Sequence, residues 1–239
     1  MADRLASIRT PWTDIILAQQ GEPSMRLQCI QMLAEKYHEP IKTYVEHALH
    51  IHQPYRIDEL VQGYFHKFLA KNFLERVQKD LGSLRGFFMS TVRSYVQDEI
   101  DRGKSNASYG PFAKHSSLNI SDNVPDKSTH TPEELFMIAW ARDFMADVVD
   151  AFRAECLDHG KRDYFDVFEQ QVLRPDEFGQ PSYEDTAKAL GMDKKRVSNC
   201  LQNAKHNFNT MLRNMVRASV TDETMVDSEL ADLEKYLRL

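Results

Sequence analysis

The sequence predicts an all-α protein built from two helical domains and a flexible linker between them. Three observations indicate this fold: apolar residues recur every three or four positions along most of the chain, no segment sustains a two-residue alternation, and one long stretch has no periodicity. Apolar amino acids make up 42% and charged amino acids 28% of the 239 residues, which is typical of a globular protein. This length accommodates one large domain or two small ones.

The first domain is expected to comprise residues 1–102, where the helical spacing is most regular. Pro40 lies inside the first long pattern and predicts a kink or a break there, and Pro54 ends that pattern. The apolar positions of the three successive patterns are Leu27, Ile30, Ala34, Tyr37, Ile41, Val45 and Ala48, then Leu60, Tyr64 and Phe68, then Leu84, Phe88, Val92, Tyr95, Val96 and Ile100.

Residues 103–131 are rich in Ser, Asn, Gly and Pro and are expected to form the linker, because 29 residues without periodicity are long for a loop inside a compact domain. A flexible coil of this length spans roughly 30 Å. Helical patterning resumes with Thr131 as the N-cap and Pro132 at the first helical position. We expect the second domain over residues 132–220 and an acidic tail over residues 221–239.

The second domain contains the pattern of a helix-turn-helix in residues 182–213. Ser182 and Asp185 form a capping-box-like start, Gly191 ends a short helix because glycine tolerates the left-handed conformation, and Asp193 caps the next helix. The apolar residues that we expect to face inward from this second helix are Val197, Leu201, Ala204, Phe208 and Met211.

The polar face of this second helix is a candidate for insertion into the DNA major groove. Lysine and arginine contact phosphates, whereas Asn and Gln pair with adenine edges. The alternative is an amphipathic helix whose polar face is only solvated. The candidate DNA contacts are Lys194, Lys195, Arg196, Ser198, Asn199, Gln202, Asn203, Lys205 and His206.

Charge is distributed unevenly along the chain. The net charge is −6, but residues 182–217 carry +4 and the tail over residues 221–239 carries −4. Net charge alone does not identify the partner. We considered two roles for the tail: an acidic helix that docks on the basic second domain and competes with DNA, or a solubilising appendage.

Three segments together resemble a known family. Residues 182–216, SYEDTAKALGMDKKRVSNCLQNAKHNFNTMLRNMV, resemble region 4 of bacterial RNA polymerase sigma factors of the extracytoplasmic-function type. Residues 56–71, RIDELVQGYFHKFLAK, are similar to the region 2 helix that binds the polymerase clamp, and residues 83–102, SLRGFFMSTVRSYVQDEIDR, are similar to the promoter-melting part. The TPW opening, YHEPIKTY, TPEELF and the short acidic tail are similar to one subgroup of these factors.

The resemblance implies a protein that binds core RNA polymerase and directs promoter-specific initiation, without catalysis of its own. It implies that the candidate DNA contacts of the helix-turn-helix read the −35 element of the promoter. It implies that the linker threads toward the polymerase active-site cleft. The implied polymerase contacts are Asp58, Glu59, Gln62 and His66, and the implied contacts to the −10 element are Arg85, Phe87, Arg93, Arg102 and Lys104. Phe87, Phe88 and Tyr95 are weighed as base-stacking residues, and we favour the core for Phe88 and Tyr95.

The chain also departs from the family pattern. Gly63 replaces an expected acid and Ser94 an expected Asn, while Ser198, Cys200 and Asn203 stand at positions that are often basic. We therefore expect weaker phosphate contacts than is typical of the family, since each lost contact removes counterion release.

The predicted clamp-binding helix has fewer acids than is typical of the family. Arg56 precedes its two acids and should oppose binding to a basic clamp surface. Phosphorylation of Tyr55 or Thr43 would supply negative charge, which leaves open a kinase or another regulatory protein as a further partner.

Other function classes lack a supporting pattern. The catalytic motifs Gly-x-Gly-x-x-Gly, P-loop, His-Glu-x-x-His and Gly-x-Ser-x-Gly are absent, so we expect no enzyme and no cofactor. His47, His50 and His52 lie together without a completing ligand set, so no metal is expected. No secretion signal or membrane span is recognisable, and the three cysteines are far apart, which favours a cytoplasmic protein with reduced thiols.

Two rival functions remain open at this point. The first is a helix-turn-helix regulator that does not engage polymerase, and the second is a helical interaction protein that no longer binds DNA. Co-purification with core polymerase separates the first rival from a sigma factor, and a gel shift with holoenzyme separates the second.

Overall fold

A computed structural model describes residues 15, 18–21, 23–70, 83–107, 130–174 and 179–238. These residues are helical apart from turns and an isolated bridge between Ser83 and Val220, which confirms the predicted all-α fold for the described part of the chain. Within the same residues, no helix is both long and apolar enough to cross a membrane.

Eight helices and two shorter helical turns lie within the described residues. The helix Arg162–Phe168 continues directly into a π-helical turn, Glu169–Leu173, and a 3₁₀ turn, Glu223–Met225, precedes the helix Val226–Leu237. The helices are α1 Pro23–Leu49, α2 Pro54–Ala70, α3 Leu84–Ala107, α4 Pro132–Asp158, α5 Arg162–Phe168, α6 Tyr183–Leu190, α7 Lys194–Ser219 and α8 Val226–Leu237.

The chain divides into two compact units. The first unit holds the described residues up to Asp143 together with those from Arg217 onward, and the second unit is Phe144–Val216. The unit boundaries therefore fall within α4 and α7, whereas we expected a boundary in the linker. The first linker residues belong to α3, and residues 108–129 lie outside the described residues.

Aromatic packing forms the core of the first unit. The ring of Phe88 is fully buried, with the ring of Tyr37 stacked on it at 3.9 Å and the ring of Phe68 at 5.5 Å between centroids. Burying a Phe side chain contributes about 1.5–3 kcal/mol. Tyr95 is also buried, so the expectation that Phe88 and Tyr95 belong to the core is confirmed.

Two sequence signals at helix positions have clear outcomes. Pro40 lies inside α1, and the helix continues through it, so the predicted break of the helix does not occur. Thr131 forms the predicted cap of α4: its hydroxyl accepts from the Glu134 N–H at 3.2 Å, and its own N–H donates to the Glu134 carboxylate at 2.9 Å. That backbone N–H lowers the pKa of Glu134.

Gly63 marks a close approach between α2 and α3. A Cβ atom at this position would lie 2.8 Å from the hydroxyl oxygen of Tyr95, which is closer than side-chain packing allows. The side chain of Tyr95 is buried, and the ring of Tyr64 packs edge-to-face against it with 5.6 Å between the ring centroids. Packing therefore explains the glycine where we expected an acid.

We predict that Gly63→Ala lowers the free energy of unfolding by up to about 2 kcal/mol, because an overpacking cost of about 1–3 kcal/mol outweighs the roughly 1 kcal/mol that alanine adds in helix propensity. Tyr95→Phe removes the clashing oxygen, so adding Gly63→Ala in that background should be neutral or stabilising. Urea unfolding of the four proteins measures this coupling. Equal effects of Gly63→Ala in both backgrounds would refute the close-approach explanation.

Candidate nucleic-acid interface

The turn between α6 and α7 is built by the residues that the sequence singled out. The Ser182 hydroxyl oxygen accepts from the Asp185 N–H at 3.2 Å and caps α6. Gly191 adopts φ 65° and ψ 35°, the left-handed conformation, and the Met192 N–H returns to the Ala187 carbonyl at 3.0 Å. The Asp193 carboxylate then accepts from the Arg196 N–H at 2.8 Å. The predicted caps and tight turn are confirmed.

One side of α7 forms a wall of the second unit's core. Val197, Cys200 and Leu201 are buried against Val167 and Ala187. One turn further along, Ala204 is buried in a second cluster with Phe152, Cys156, Phe165 and Phe168, where Phe208 and Met211 are partly buried. The predicted inward-facing set is therefore confirmed, with Phe208 and Met211 at its edge.

A buried polar network holds α6 in place. Gln171, in the π-helical turn, donates from its side-chain amide to the Thr186 hydroxyl at 2.7 Å and to the Pro181 carbonyl at 2.9 Å. Its side-chain oxygen accepts from Gln180 at 3.0 Å. Gln171 and Thr186 are both buried, and satisfied buried polar groups specify a unique packing. Sequence reasoning missed this network, because an isolated Gln gives no signal of burial.

The opposite side of α7 is open to solvent. All nine residues that we nominated for DNA contact are exposed there: Lys194, Lys195, Arg196, Ser198, Asn199, Gln202, Asn203, Lys205 and His206.

Two of these side chains already have partners in the chain. The Arg196 guanidinium forms an ion pair with Asp163 at the start of α5, and this hydrogen bond raises the pKa of Arg196. The Asn203 amide donates to the Asn199 carbonyl at 2.8 Å. Either group must leave its present partner to contact a nucleic acid.

A cleft of about 410 Å³ opens beside the first turn of α7. Lys161, Lys195 and Arg196 bring positive charge to its lining, which Asp163 and Asp193 partly offset. Sequence reasoning missed Lys161 and Asp163, because they lie about 30 residues before α7 and only the folded chain brings them to it. Cys200 also lines the cleft, and burial raises the pKa of its thiol.

The predicted polymerase contacts occupy α2. Asp58, Glu59, Gln62 and His66 are all exposed, and their spacing places them within two turns of this helix. The carboxylate of Glu59 is 2.6 Å from Nη1 of Arg56, so this basic residue neutralises part of the acidic surface.

The predicted −10 contacts on α3 differ in accessibility. Arg93 and Arg102 are exposed, and Arg102 pairs with Glu99 at 2.7 Å. Phe87 is partly exposed, with its ring 5.9 Å from that of Phe88. Lys104 lies within α3, and its side chain is outside the described residues.

Arg85 is enclosed, unlike these residues. Only 14% of its side chain is exposed, and its guanidinium binds Glu229 and Asp232 of α8. The tail helix thus occupies a side chain that the resemblance assigns to DNA.

The described residues contain no group of three or more His, Cys, Asp or Glu that could hold a metal ion. In the histidine cluster, the His47 ring contacts the Thr43 carbonyl at 2.8 Å, while His50 and His52 are exposed. Comparisons with protein-family models, with curated proteins and with solved structures found no match for this chain. A functional assignment therefore depends on the residues described above.

We predict that Gly191→Ala lowers the free energy of unfolding by about 1–2 kcal/mol, although the space around a Cβ there is open. The cost arises from the left-handed backbone, so Gly191→Asn should be tolerated better, since Asn enters that conformation more readily. Thermal unfolding of the two variants measures the difference. Equal stability of Gly191→Ala and the parent protein would show that the turn relaxes.

Proposed function

We propose that this protein is a sigma factor that binds core RNA polymerase and directs transcription initiation at specific promoters. The observation that carries the proposal is the α6–turn–α7 unit, in which one face of α7 is buried and nine nominated side chains are exposed on the other. An α-helix with its side chains is about 10–12 Å across and the DNA major groove is about 12 Å wide, so α7 has the size of a recognition helix.

The exposed residues of α7 combine the two kinds of group that DNA recognition needs. Lys194, Lys195 and Arg196 cluster in the first turn and supply charge for phosphates, in the case of Arg196 after it leaves Asp163. Asn199, Gln202 and, after it leaves its backbone partner, Asn203 follow and supply amides for adenine edges. The N-terminal part of a recognition helix contacts base edges, and Asn199 and Gln202 lie within the first three turns of α7.

Engagement of polymerase, rather than DNA binding alone, is supported by α2. Its exposed residues Asp58, Glu59 and Gln62 fit the clamp-binding pattern of the family that the chain resembles, and the nominated His66 is exposed on the same helix. Acidic side chains suit a basic partner surface. On α3, Arg93 and Arg102 are exposed for backbone contacts near the −10 element. The polymerase performs the chemistry, and this chain contributes recognition and melting.

The decisive experiment is transcription by core polymerase, with and without this protein, on fragmented genomic DNA of its own host. New, discrete transcript starts support a sigma factor. DNA binding without retention on core polymerase indicates a helix-turn-helix regulator. Failure of both DNA binding and polymerase binding indicates a helical interaction protein.

Base reading and phosphate binding on α7 should be separable. Alanine at Asn199, Gln202 and Asn203 should cost about 1–3 kcal/mol per lost base pairing and relax single promoter positions. Lys195→Ala should instead weaken all duplexes alike and reduce the salt slope of log K by about 0.9. Fluorescence anisotropy across a salt series measures both effects.

Arg174→Ala is the matched control for Lys195→Ala, since it removes one exposed positive charge from the same unit at the end of the π-helical turn. Equal losses in the two variants would show a general charge effect and exclude α7 as the reading helix.

Arg56→Glu should tighten binding to core polymerase by up to about fivefold, because it removes the partner of Glu59 and adds an acid, and an exposed ion pair is worth up to about 1 kcal/mol. Arg142→Glu makes the same charge change at an exposed position of the same unit and is the control. Competition against a labelled sigma factor measures affinity. Weaker binding of Arg56→Glu would show that the polymerase clamp does not contact this part of α2.

A further inference from the structure

The guanidinium of Arg85 is bound from two sides in the first unit. Its Nε and Nη2 atoms donate to the two carboxylate oxygens of Glu229 at 2.6 and 2.9 Å, and Nη2 also donates to Asp232. The Trp140 ring centroid is 5.1 Å from the guanidinium carbon, and Met137 Sδ accepts at 3.3 Å. Burial alone would lower the pKa of Arg85, but hydrogen bonds and the two carboxylates raise it above its usual value.

This geometry is the one in which arginine binds a phosphate. Two parallel N–H groups of the planar guanidinium contact two oxygens of one anion in the Arg85–Glu229 pair. The carboxylate of Glu229 therefore fills the position that a phosphodiester would need, and a nucleic acid must displace it.

Glu229 interrupts an apolar stripe of α8. Val226 and Leu233 are buried, with at most 3% of each residue exposed. Glu229 lies between them at helical spacing and is only 4% exposed. An apolar residue at position 229 would pack without desolvating a charge. Buried ion pairs are often no more stabilising than apolar substitutes of the same volume. The charge at position 229 therefore serves the specific contact with Arg85 more than it serves stability.

We propose that α8 is an intramolecular acidic competitor, which occupies Arg85 and must be displaced before Arg85 binds the phosphates of an opened DNA strand. The proposal rests on the proposed function, because it takes Arg85 as a nucleic-acid contact. It differs from the expectation that the tail docks on the second domain, since the ion pairs of Glu229 and Asp232 are made within the first unit.

Neutralising the two carboxylates tests the competition. In the full chain, Glu229→Gln with Asp232→Asn should bind a fluorescein-labelled 30-mer of dT at least threefold more tightly than the parent protein at low salt. Adding Arg85→Gln should abolish this gain, because the gain requires the released guanidinium. A gain that persists without Arg85 overturns the proposal.

The matched control is Asp227→Asn with Glu234→Gln, which changes net charge equally at two exposed positions of the same helix. The control should leave the affinity for the oligonucleotide within about a factor of 1.5. An equal gain in the control and in the Glu229/Asp232 variant shows simple charge attraction and overturns the competitor.

A second measurement uses the parent protein and therefore does not require any variant to fold. In the parent protein, saturating dT 30-mer should accelerate hydrogen exchange of the α8 amides, since a displaced helix loses its protection. Unchanged or increased protection of α8 with DNA bound overturns the proposal.

The outcomes distinguish this proposal from the proposed function. If Lys195→Ala still weakens duplex binding and transcripts appear, but the Glu229/Asp232 variant behaves as its control, the competitor fails and the sigma function stands. If the Glu229/Asp232 variant binds the oligonucleotide more tightly as expected but no transcript depends on the protein, the sigma function is overturned. The proposal that α8 competes for Arg85 then stands. If no variant binds any nucleic acid, both are overturned.

Discussion

Burial of one side of α7 is the constraint on which the second unit depends. Val197, Cys200 and Leu201 pack with Val167 and Ala187, and Ala204 packs in the aromatic cluster. Because a helix is rigid, this burial fixes which residues of α7 face water. The turn at Gly191 and the Gln171 network position α6 against the same core. The exposed polar surface is thus a consequence of core packing, and its geometry does not depend on a bound partner.

Local signals in the sequence predicted the helices and their ends, whereas tertiary contacts escaped prediction. The caps at Thr131 and Ser182 and the glycine turn each require only residues within one helical turn, so spacing and side-chain chemistry suffice to recognise them. Arg85 and Glu229 are separated by 144 residues, and no sequence pattern around either residue indicates that the two form an ion pair. The exposed face of α7 followed from periodicity, while Lys161 joined it only through folding.

Arginines nominated for binding repeatedly have acidic partners inside the chain. Arg196 pairs with Asp163, Arg102 with Glu99, and Arg85 with two carboxylates of α8. An internal carboxylate lowers the net attraction of each arginine for phosphate and orients its guanidinium at the same time. The exposed pairs open at little cost, since such pairs contribute at most about 1 kcal/mol, whereas the enclosed Arg85 is the costly one to release.

The close approach of Gly63 to Tyr95 also restricts how this chain can evolve. An acid at position 63 would enlarge the charged surface of α2, yet it meets the tyrosine hydroxyl 2.8 Å from its first side-chain atom. Loss of that hydroxyl removes the close contact, although by itself it gives no charge on α2. The order in which the tyrosine is lost before the acid is gained is therefore the less destabilising one, and in a lineage that keeps Tyr95 an acid is better tolerated at other positions of α2.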